Sequence, residues 1–469
     1  MKFQGLTVDV VGLGVAGFAC ADALMQHGAT VSLLDEGDSE TLKERATILE
    51  ILGARPRIGQ ALQLSEDAEL LVVSPGLRPS APIIAQAQER DIPVWGELEL
   101  AWQLQGGLDG PDWLFVTGTN GKTTTTLMLE SMLRAGGLRT AAVGNIGVSL
   151  VEAVNSPEEF DVFAIEVGAP QLPFLYSAEP LAVACLNVAD DHIDHFGSME
   201  AYVAAKSRAF TNTRVACVYN ENDETTLRMV EEAEVIEGAR AIGVTRGIPA
   251  ISMLGVVDDI LVDRAFITDR VRAAQELAPV EDVRPPGVHN VENALFAAAL
   301  ARAAGVEPGA VGQGLRDFEP APHRIQHVRT LGGVEYVDDS KATNTHAAQT
   351  SIAGYDSVVW IAGGLAKGQE FDDLVQAEQN RLRAVVLLGK DREVIRQALE
   401  RHAPQVPVFE VSTTETSAID QVVEIAREQA QAGDTVLLAP GCASWDMFKN
   451  FSHRGEVFAE AVRGLADED

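Results

Sequence analysis

The side chains best placed to do chemistry fall in one run, Phe115-Val116-Thr117-Gly118-Thr119-Asn120-Gly121-Lys122-Thr123-Thr124. The apolar stretch over 113–116 predicts a buried strand, and residues 125–134 predict a helix. A glycine-rich turn between them sets backbone N–H groups at a helix N-terminus, where aligned peptide dipoles favour an anion. Gly118 and Gly121 let the backbone wrap closely around phosphate oxygens, where a Cβ would obstruct it. Lys122 can then reach β- and γ-phosphates, and the Thr123 hydroxyl can bind Mg²⁺. Residues 118–124 are therefore expected to bind ATP. The full phosphate-loop pattern has another glycine five residues before Gly121, and Val116 stands there. A plain strand-to-helix turn with a surface lysine is the competing reading.

Other strand ends carry polar residues. A strand over 8–11 leads into Gly12-Leu13-Gly14-Val15-Ala16-Gly17, then a helix to 25, then a strand over 30–34 ending at Asp35. This is a dinucleotide fingerprint, and taken alone it points to NAD; a tight turn with no ligand is the alternative. A strand over 69–73 ends in Ser74-Pro75-Gly76. Further on, a strand over 140–143 leads into Gly144-Asn145-Ile146-Gly147, one over 161–165 ends at Glu166, and one over 181–188 ends at Ala189-Asp190-Asp191-His192. Ligands of open α/β sheets sit outside the carboxyl ends of strands, so Glu166 and His192 fall on the same rim as Lys122. Carboxylate and hydroxyl oxygens there suit a hard cation bridging phosphates. The competing readings are a strand-capping acid for Glu166 and a loop-ordering hydrogen bonder for His192.

Lys206, on a helix over 199–210, would ordinarily be a solvated lysine. Residues 215–267 predict short strands and turns with no identifiable site. Gly287-Val288-His289-Asn290-Val291-Glu292-Asn293 opens an alanine-rich helix with Asn290 and Asn293 on one face. After Pro320-Ala321-Pro322-His323-Arg324, three more strands end in loaded loops. These are Asp338-Asp339-Ser340-Lys341-Ala342-Thr343-Asn344, Gly363-Gly364-Leu365-Ala366-Lys367 and Pro440-Gly441-Cys442-Ala443-Ser444-Trp445. One such loop is ordinary turn chemistry; three on one rim predict a second α/β site.

The 469 residues exceed one ordinary core, and about three domains are expected. Breakers over 106–111 and the proline pair at 320 and 322 set them at 1–108, 109–320 and 321–469. The fold class is α/β, with a Rossmann-like first domain, a central phosphate-loop-type parallel sheet and a Rossmann-like C-terminal domain. The net charge of −33 excludes nucleic acid as a partner, since a phosphate backbone needs a basic footprint. No apolar run is long enough for a membrane span, the start lacks a signal-peptide pattern, and the four cysteines have neither metal nor redox spacing. A cytoplasmic protein is expected. Lysine is scarce beside arginine, yet Lys122, Lys206, Lys341, Lys367 and Lys449 all fall in the motifs described.

Together the motifs resemble the Mur ligase family, which joins amino acids to carboxylates, and the likeness covers the whole chain. It is carried by Gly-Thr-Asn-Gly-Lys-Thr at 118–123, Gly-Asn-Ile-Gly at 144–147, Asp-His-Ile-Asp at 191–194, His-Asn-Val-Glu-Asn at 289–293 and His-Arg at 323–324. Asp-Ser-Lys-Ala-Thr-Asn at 339–344 and Phe-Lys-Asn-Phe at 448–451 resemble the D-glutamate-adding branch, and no Asp-Asn-Pro-Arg of the diaminopimelate-adding branch occurs.

The resemblance implies ATP, Mg²⁺ (or Mn²⁺), UDP-N-acetylmuramoyl-L-alanine and D-glutamate as ligands of a monomeric enzyme. It assigns UDP to Gly14, Val15, Ala16, Asp35 and Ser74. The metals go to Thr123, Glu166, His192 and a carbamylated Lys206. The sugar–alanine goes to Asn145 and His192, and the nucleotide to Asn290, Asn293, Arg324 and Asp339. D-glutamate and the transferred phosphate go to Lys341, Thr343, Lys367, Ser444 and Phe451. It names Lys122, His192, Lys206 and Lys341 as catalytic. One departure stands out: the family's usual Ser-Ser-Phe-Gln-Leu is Gly168-Ala169-Pro170-Gln171-Leu172, with both hydroxyls gone. The open alternatives are another Mur-type or folylpolyglutamate-type ligase, an idle UDP-sugar-binding homologue and a nicotinamide oxidoreductase.

Overall fold

The computed structural model describes residues 3–466, apart from His192, Ala321, Thr414 and the side chain of Asp194. Among the described residues three sheets form in two compact units, Met1–Phe318 and Glu319–Asp469. The first sheet comprises β1 (Thr7–Val11), β2 (Thr30–Asp35), β3 (Arg55–Ile58), β4 (Leu70–Val73) and β5 (Val94–Gly96). Its order is β3-β2-β1-β4-β5, parallel throughout, so the winding reverses between β1 and β4 and opens a crevice at their carboxyl ends. All four residues of β4 are buried, as a strand covered on both faces requires, and its sequence is an unbroken apolar run.

The second sheet comprises β6 (Asp112–Thr117), β7 (Thr140–Gly144), β8 (Val162–Glu166), β9 (Ala182–Cys185), β10 (Ala216–Asn220), β11 (Arg240–Val244), β12 (Met253–Val257), β13 (Ile260–Asp263) and β14 (Gln275–Pro279). They run β14-β13-β12-β11-β10-β9-β6-β8-β7, with β13 and β14 added antiparallel at one edge. Helix Val288–Ala303 is apolar on nearly every side and accordingly packs inside one core with helix Lys122–Ala135. The strand expected over 181–188 stops at Cys185; Leu186 still donates to the Thr117 carbonyl (3.0 Å), and the Asn187 carbonyl accepts from Thr119 (3.0 Å) in the glycine-rich loop. The expected short strands over 215–267 are present, with helix Glu224–Glu231 inserted and capped by the Asp223 carboxylate.

The first two sheets share a unit through helix Glu97–Leu104, which buries two carboxylates. Glu97 accepts the Leu150 N–H (2.9 Å), and Glu99 accepts the N–H groups of Tyr176 (2.8 Å) and Ser177 (2.9 Å). Burial pushes the Glu97 carboxyl up, against the hydrogen bonds from Ser149, Leu150, Val151 and Gln171 that favour its charged form.

The third sheet comprises β15 (Gln326–Leu331), β16 (Val334–Asp338), β17 (Val358–Gly363), β18 (Leu382–Leu388), β19 (Val408–Glu410) and β20 (Thr435–Leu438). Its order is β15-β16-β20-β17-β18-β19, with β15 antiparallel to β16. The architecture is the three-domain α/β fold expected. Cys20, Cys185, Cys217 and Cys442 are all buried thiols. No described helix is long and apolar enough to cross a membrane.

Candidate active site

Helix Lys122–Ala135 begins at Lys122 rather than at the expected 125, so Lys122, Thr123 and Thr124 form its first turn. Gly121 is the N-cap at φ 84°, and no side chain caps the end. First-turn N–H groups have no acceptor within a helix, which suits this end to an anion. Asn187 orders the loop: its Oδ1 accepts from the Thr119 (3.1 Å) and Asn120 (2.9 Å) N–H groups, and its Nδ2 donates to the Asn120 carbonyl (3.2 Å). The Thr119 hydroxyl pairs with Tyr202 Oη at 3.1 Å. Lys122 Nζ folds back onto the carbonyls of Gly118 (2.9 Å) and Thr119 (2.8 Å). A Cβ on Gly121 would stand 2.5 Å from Asn293 Oδ1, so glycine is what lets Asn293 lie against the loop. Asn293 in turn donates to Asn290 Oδ1 (3.2 Å), whose Nδ2 reaches the Pro285 carbonyl (3.0 Å).

Parallel pairing of β6 and β7 with β8 aligns Val116 and Gly144 with Glu166, the last residue of its strand. Glu166, 3% exposed, accepts the Thr123 hydroxyl at 2.5 Å through Oε2 and the Asn145 amide at 2.9 Å through Oε1. Asn145 therefore holds the carboxylate. These hard oxygens are the donors Mg²⁺ takes. No group of three His, Cys, Asp or Glu able to hold a metal occurs among the described residues, and His192 lies outside them. Lys206 is not a solvated helix lysine. It is 1% exposed, with Nζ 4.7 Å from the Tyr202 ring centroid. Burial and then the charge of Lys122 push its pKa down to about 8, against Cys185 and Asp191.

The departure at 168–170 sits in a short 3₁₀ helix, Ala169–Phe174. Gln171 Oε1 accepts the Gly168 N–H (2.8 Å), and its Nε2 points to Glu97 (3.5 Å). Arg208 donates to the carbonyls of Leu172 (3.0 Å) and Leu175 (2.6 Å). The segment without the two serines is thus fastened at both ends.

At the crevice of the first sheet, Gly12 takes φ 85°, and the Ser74 hydroxyl donates to its carbonyl at 2.7 Å. Asp35 accepts the N–H groups of Leu13 (2.8 Å) and Gly37 (2.9 Å), so it shapes the turn that presents Gly14, Val15 and Ala16. Gly14 is the N-cap of helix Val15–Gln26, again with no side chain capping it.

In the second unit, Lys341 Nζ lies 3.9 Å from the Phe451 ring centroid and Lys367 Nζ 4.2 Å from that of Trp445. Leu365 and Ala443 exchange backbone hydrogen bonds of 2.8 and 3.0 Å, joining two of the three strand-end loops. Thr343 donates its N–H to the Lys341 carbonyl (2.8 Å), and the carbonyl of buried Ser444 accepts from Phe448 (2.9 Å). Asp339 is buried, accepts the Ser351 hydroxyl and the Ile325 N–H (3.4 Å), and is pushed up to about 6 by burial. Arg324 is half-buried beside it, with its positive charge opposing that rise.

Arg454 is a residue the sequence reading missed. Only 1% exposed, it donates to Ser340 Oγ (2.9 Å), the Ser340 carbonyl (2.7 Å) and the Cys442 carbonyl (3.0 Å). Ser340 Oγ passes the tie on to the Phe451 carbonyl (2.7 Å), so one guanidinium fixes the loop bearing Lys341. Its signal was periodicity: Arg454 shares the buried face of helix Phe451–Gly464 with Phe458 and Val462. Asn187 gave no comparable signal.

Three family models match the chain: "Mur ligase MurD-like, N-terminal domain" over 7–96, "Mur ligase middle domain" over 116–301 and "Mur ligase, glutamate ligase domain" over 323–442. The chain is 56% identical over 464 residues, 99% of each chain, to the UDP-N-acetylmuramoylalanine--D-glutamate ligase of Streptomyces avermitilis. It is 48% identical to the protein of that name from Thermobifida fusca, over 99% of this chain and 100% of the other. The fold is similar to that of UDP-N-acetylmuramate-alanine ligase from Thermotoga maritima (TM-score 0.57, 19% identity, 98% and 99% covered). It is also similar to that of a pseudomurein peptide ligase type C from Methanothermus fervidus (TM-score 0.58, 16% identity, 98% and 100% covered). With relatives this similar from end to end and all three domains matched, the chain belongs to the Mur ligase family.

Proposed function

We propose that the chain joins D-glutamate to the alanyl carboxylate of UDP-N-acetylmuramoyl-L-alanine, using ATP, in peptidoglycan synthesis. The observation that carries this reading is the hydrogen-bonded set of Thr123, Glu166 and Asn145 beside the loop that Lys122 folds onto, in a chain 56% identical to a ligase of that name. Residues 118–124 hold the ATP phosphates, with Asn290, Asn293, Arg324 and Asp339 on the rest of the nucleotide. Thr123 and Glu166 would hold Mg²⁺ or Mn²⁺, together with His192 and Lys206; a cation there supplies charge neutralisation on the phosphates. A lysine with its pKa near 8 carries enough neutral amine to take up CO₂, which supports carbamylation of Lys206.

The alanyl carboxylate accepts the γ-phosphoryl group and becomes an acyl phosphate. The D-glutamate amine then attacks the carbonyl carbon and loses a proton, and phosphate departs with the C–O electron pair. Two anions must meet in the first step, so Lys122 and Lys341 are assigned to stabilising their charge. Thr343, Lys367, Ser444 and Phe451 position D-glutamate. Gly14, Val15, Ala16, Asp35 and Ser74 receive UDP, and Asn145 and His192 the sugar–alanine. The domain limits are 1–108, 109–320 and 321–469, and the enzyme works as a cytoplasmic monomer. The test is phosphate release from ATP with each substrate omitted in turn. Release only when UDP-N-acetylmuramoyl-L-alanine and D-glutamate are both present is expected; release without the UDP-sugar, or equally with L-glutamate, overturns the proposal.

A further inference from the structure

The antiparallel edge of the second sheet carries a cleft of about 560 Å³ lined by Arg240, Phe266, Thr268, Arg270, Arg302 and Glu307, among others. Arg240 is the first residue of β11 and Arg302 lies in the last turn of helix Val288–Ala303. The cleft therefore opens at the amino ends of the parallel strands, whereas the Lys122 loop occupies their carboxyl ends. In sheet order β10 and β9 also stand between β11 and β6.

In a chain with 69 acidic and 36 basic residues, an arginine ordinarily finds a carboxylate. Arg302 does: Nε donates to buried Asp263 at 3.0 Å, and its other nitrogens reach the carbonyls of Val306 (2.5 Å) and Phe266 (3.2 Å). Arg240 and Arg270 have no ion pair with any carboxylate among the described residues. Arg240 spends one donor on the Ala265 carbonyl (2.9 Å), and its guanidinium is held over the Phe266 ring at 5.0 Å. Arg270 spends one on Ser252 Oγ (3.2 Å). Each guanidinium has five N–H groups, so most remain to be used. Burial and the facing charge of Arg270 lower the pKa of Arg240, and Asp263 only partly offsets them. Two like charges left facing each other are unfavourable until an anion joins them.

We propose that Arg240 and Arg270, backed by Arg302 and Thr268, form a binding site for a diphosphate group, either free pyrophosphate or the diphosphate of a nucleotide. Planar forks bind tetrahedral oxyanions two donors at a time, and the cleft is roomy enough for two phosphates. Glu307 is the one acid in the lining, set against three arginines.

The test uses the full chain carrying Lys122→Ala, which weakens phosphate binding at the ATP loop. Calorimetric titration with pyrophosphate should show a saturable site that weakens about 100-fold or more when Arg240→Gln and Arg270→Gln are added, since each charge-assisted bond contributes about tenfold or more. GDP binding more tightly than pyrophosphate supports the nucleotide source, and equal affinity supports the free phosphate. No saturable binding by either, or a number of bound ligands per chain that both substitutions leave unchanged, overturns the proposal. Should the doubly substituted chain fail to fold, phenylglyoxal modification of the unsubstituted protein decides. Pyrophosphate should shield Arg240 and Arg270, and equal modification with and without it refutes the site.

Discussion

A buried ammonium makes a protein less stable at neutral pH than an apolar side chain of similar length. Lys206 is 1% exposed, and burial, followed by the charge of Lys122, takes its pKa from 10.5 to about 8. At about 1.4 kcal/mol per pH unit, that fall costs the charged form about 3 kcal/mol. The unfolded chain holds this proton up to pH 10.5 and the folded chain only to about 8, so between them stability rises with pH. Below pH 8 the whole penalty stands; above 10.5 it is gone. The Tyr202 ring at 4.7 Å returns about 1–2 kcal/mol to a desolvated cation. Lys206→Met should therefore raise the unfolding free energy by about 1–2 kcal/mol at pH 7 and leave it nearly unchanged above pH 10.5, while abolishing ligation. Urea unfolding of both chains, free of metal and bicarbonate, measures this at the two pH values. A substituted chain less stable than its parent at pH 7, or a gain equal at both, refutes the reasoning.

Lys122→Ala should lower kcat by ~10²-fold or more, because a preorganised charge at the phosphates is lost; near-normal kcat in a steady-state assay would remove ATP from this loop. Lys367→Ala should raise the KM for D-glutamate by about 10- to 100-fold, a charged hydrogen bond being worth ~1.5–3 kcal/mol, with the KM for ATP little changed. An unchanged amino-acid KM sinks that role. The triple change Gly168→Ser, Ala169→Ser and Pro170→Phe should lower the KM for the UDP-sugar by a few-fold to about tenfold per restored bond, without moving that for ATP. No improvement would mean that Asn145 and the Gln171–Glu97 tie already compensate.

The strand-end loops were legible because an apolar run followed by glycine and polar residues marks both a parallel strand and its binding rim. Lys122, Glu166 and Lys341 all stand at or just after such strand ends. The sequence places the helix start late because Lys-Thr-Thr-Thr has weak helix propensity, which a tight glycine N-cap overrides. The strand over 181–188 reads too long because Leu186 and Val188 continue its apolar pattern, while the Asn187 amide turns to the glycine-rich loop. Residues with distant partners stay hidden: nothing local marks Glu97 and Glu99 as buried, and their partners lie at Leu150, Tyr176 and Ser177. Arg240 and Arg270 lie thirty positions apart, and only the folding of β11 through β13 sets them side by side.

The four buried thiols give each of the two compact units its own clock. Burial raises the pKa of every one, Cys185 and Cys442 to about 12, Cys217 to about 11 and Cys20 well above its ordinary value. An alkylating reagent at neutral pH thus meets sulfur that is neither accessible nor ionised, and must wait for the chain around it to open. Cys20 rides on the helix covering the first sheet, Cys185 and Cys217 lie in β9 and β10, and Cys442 follows β20. Cys20, Cys185 and Cys217 share one core and Cys442 lies in another, so pulse alkylation with peptide mass spectrometry would time the opening of the two units separately, with no introduced label. A substrate that steadies only one unit would slow only that unit's cysteines.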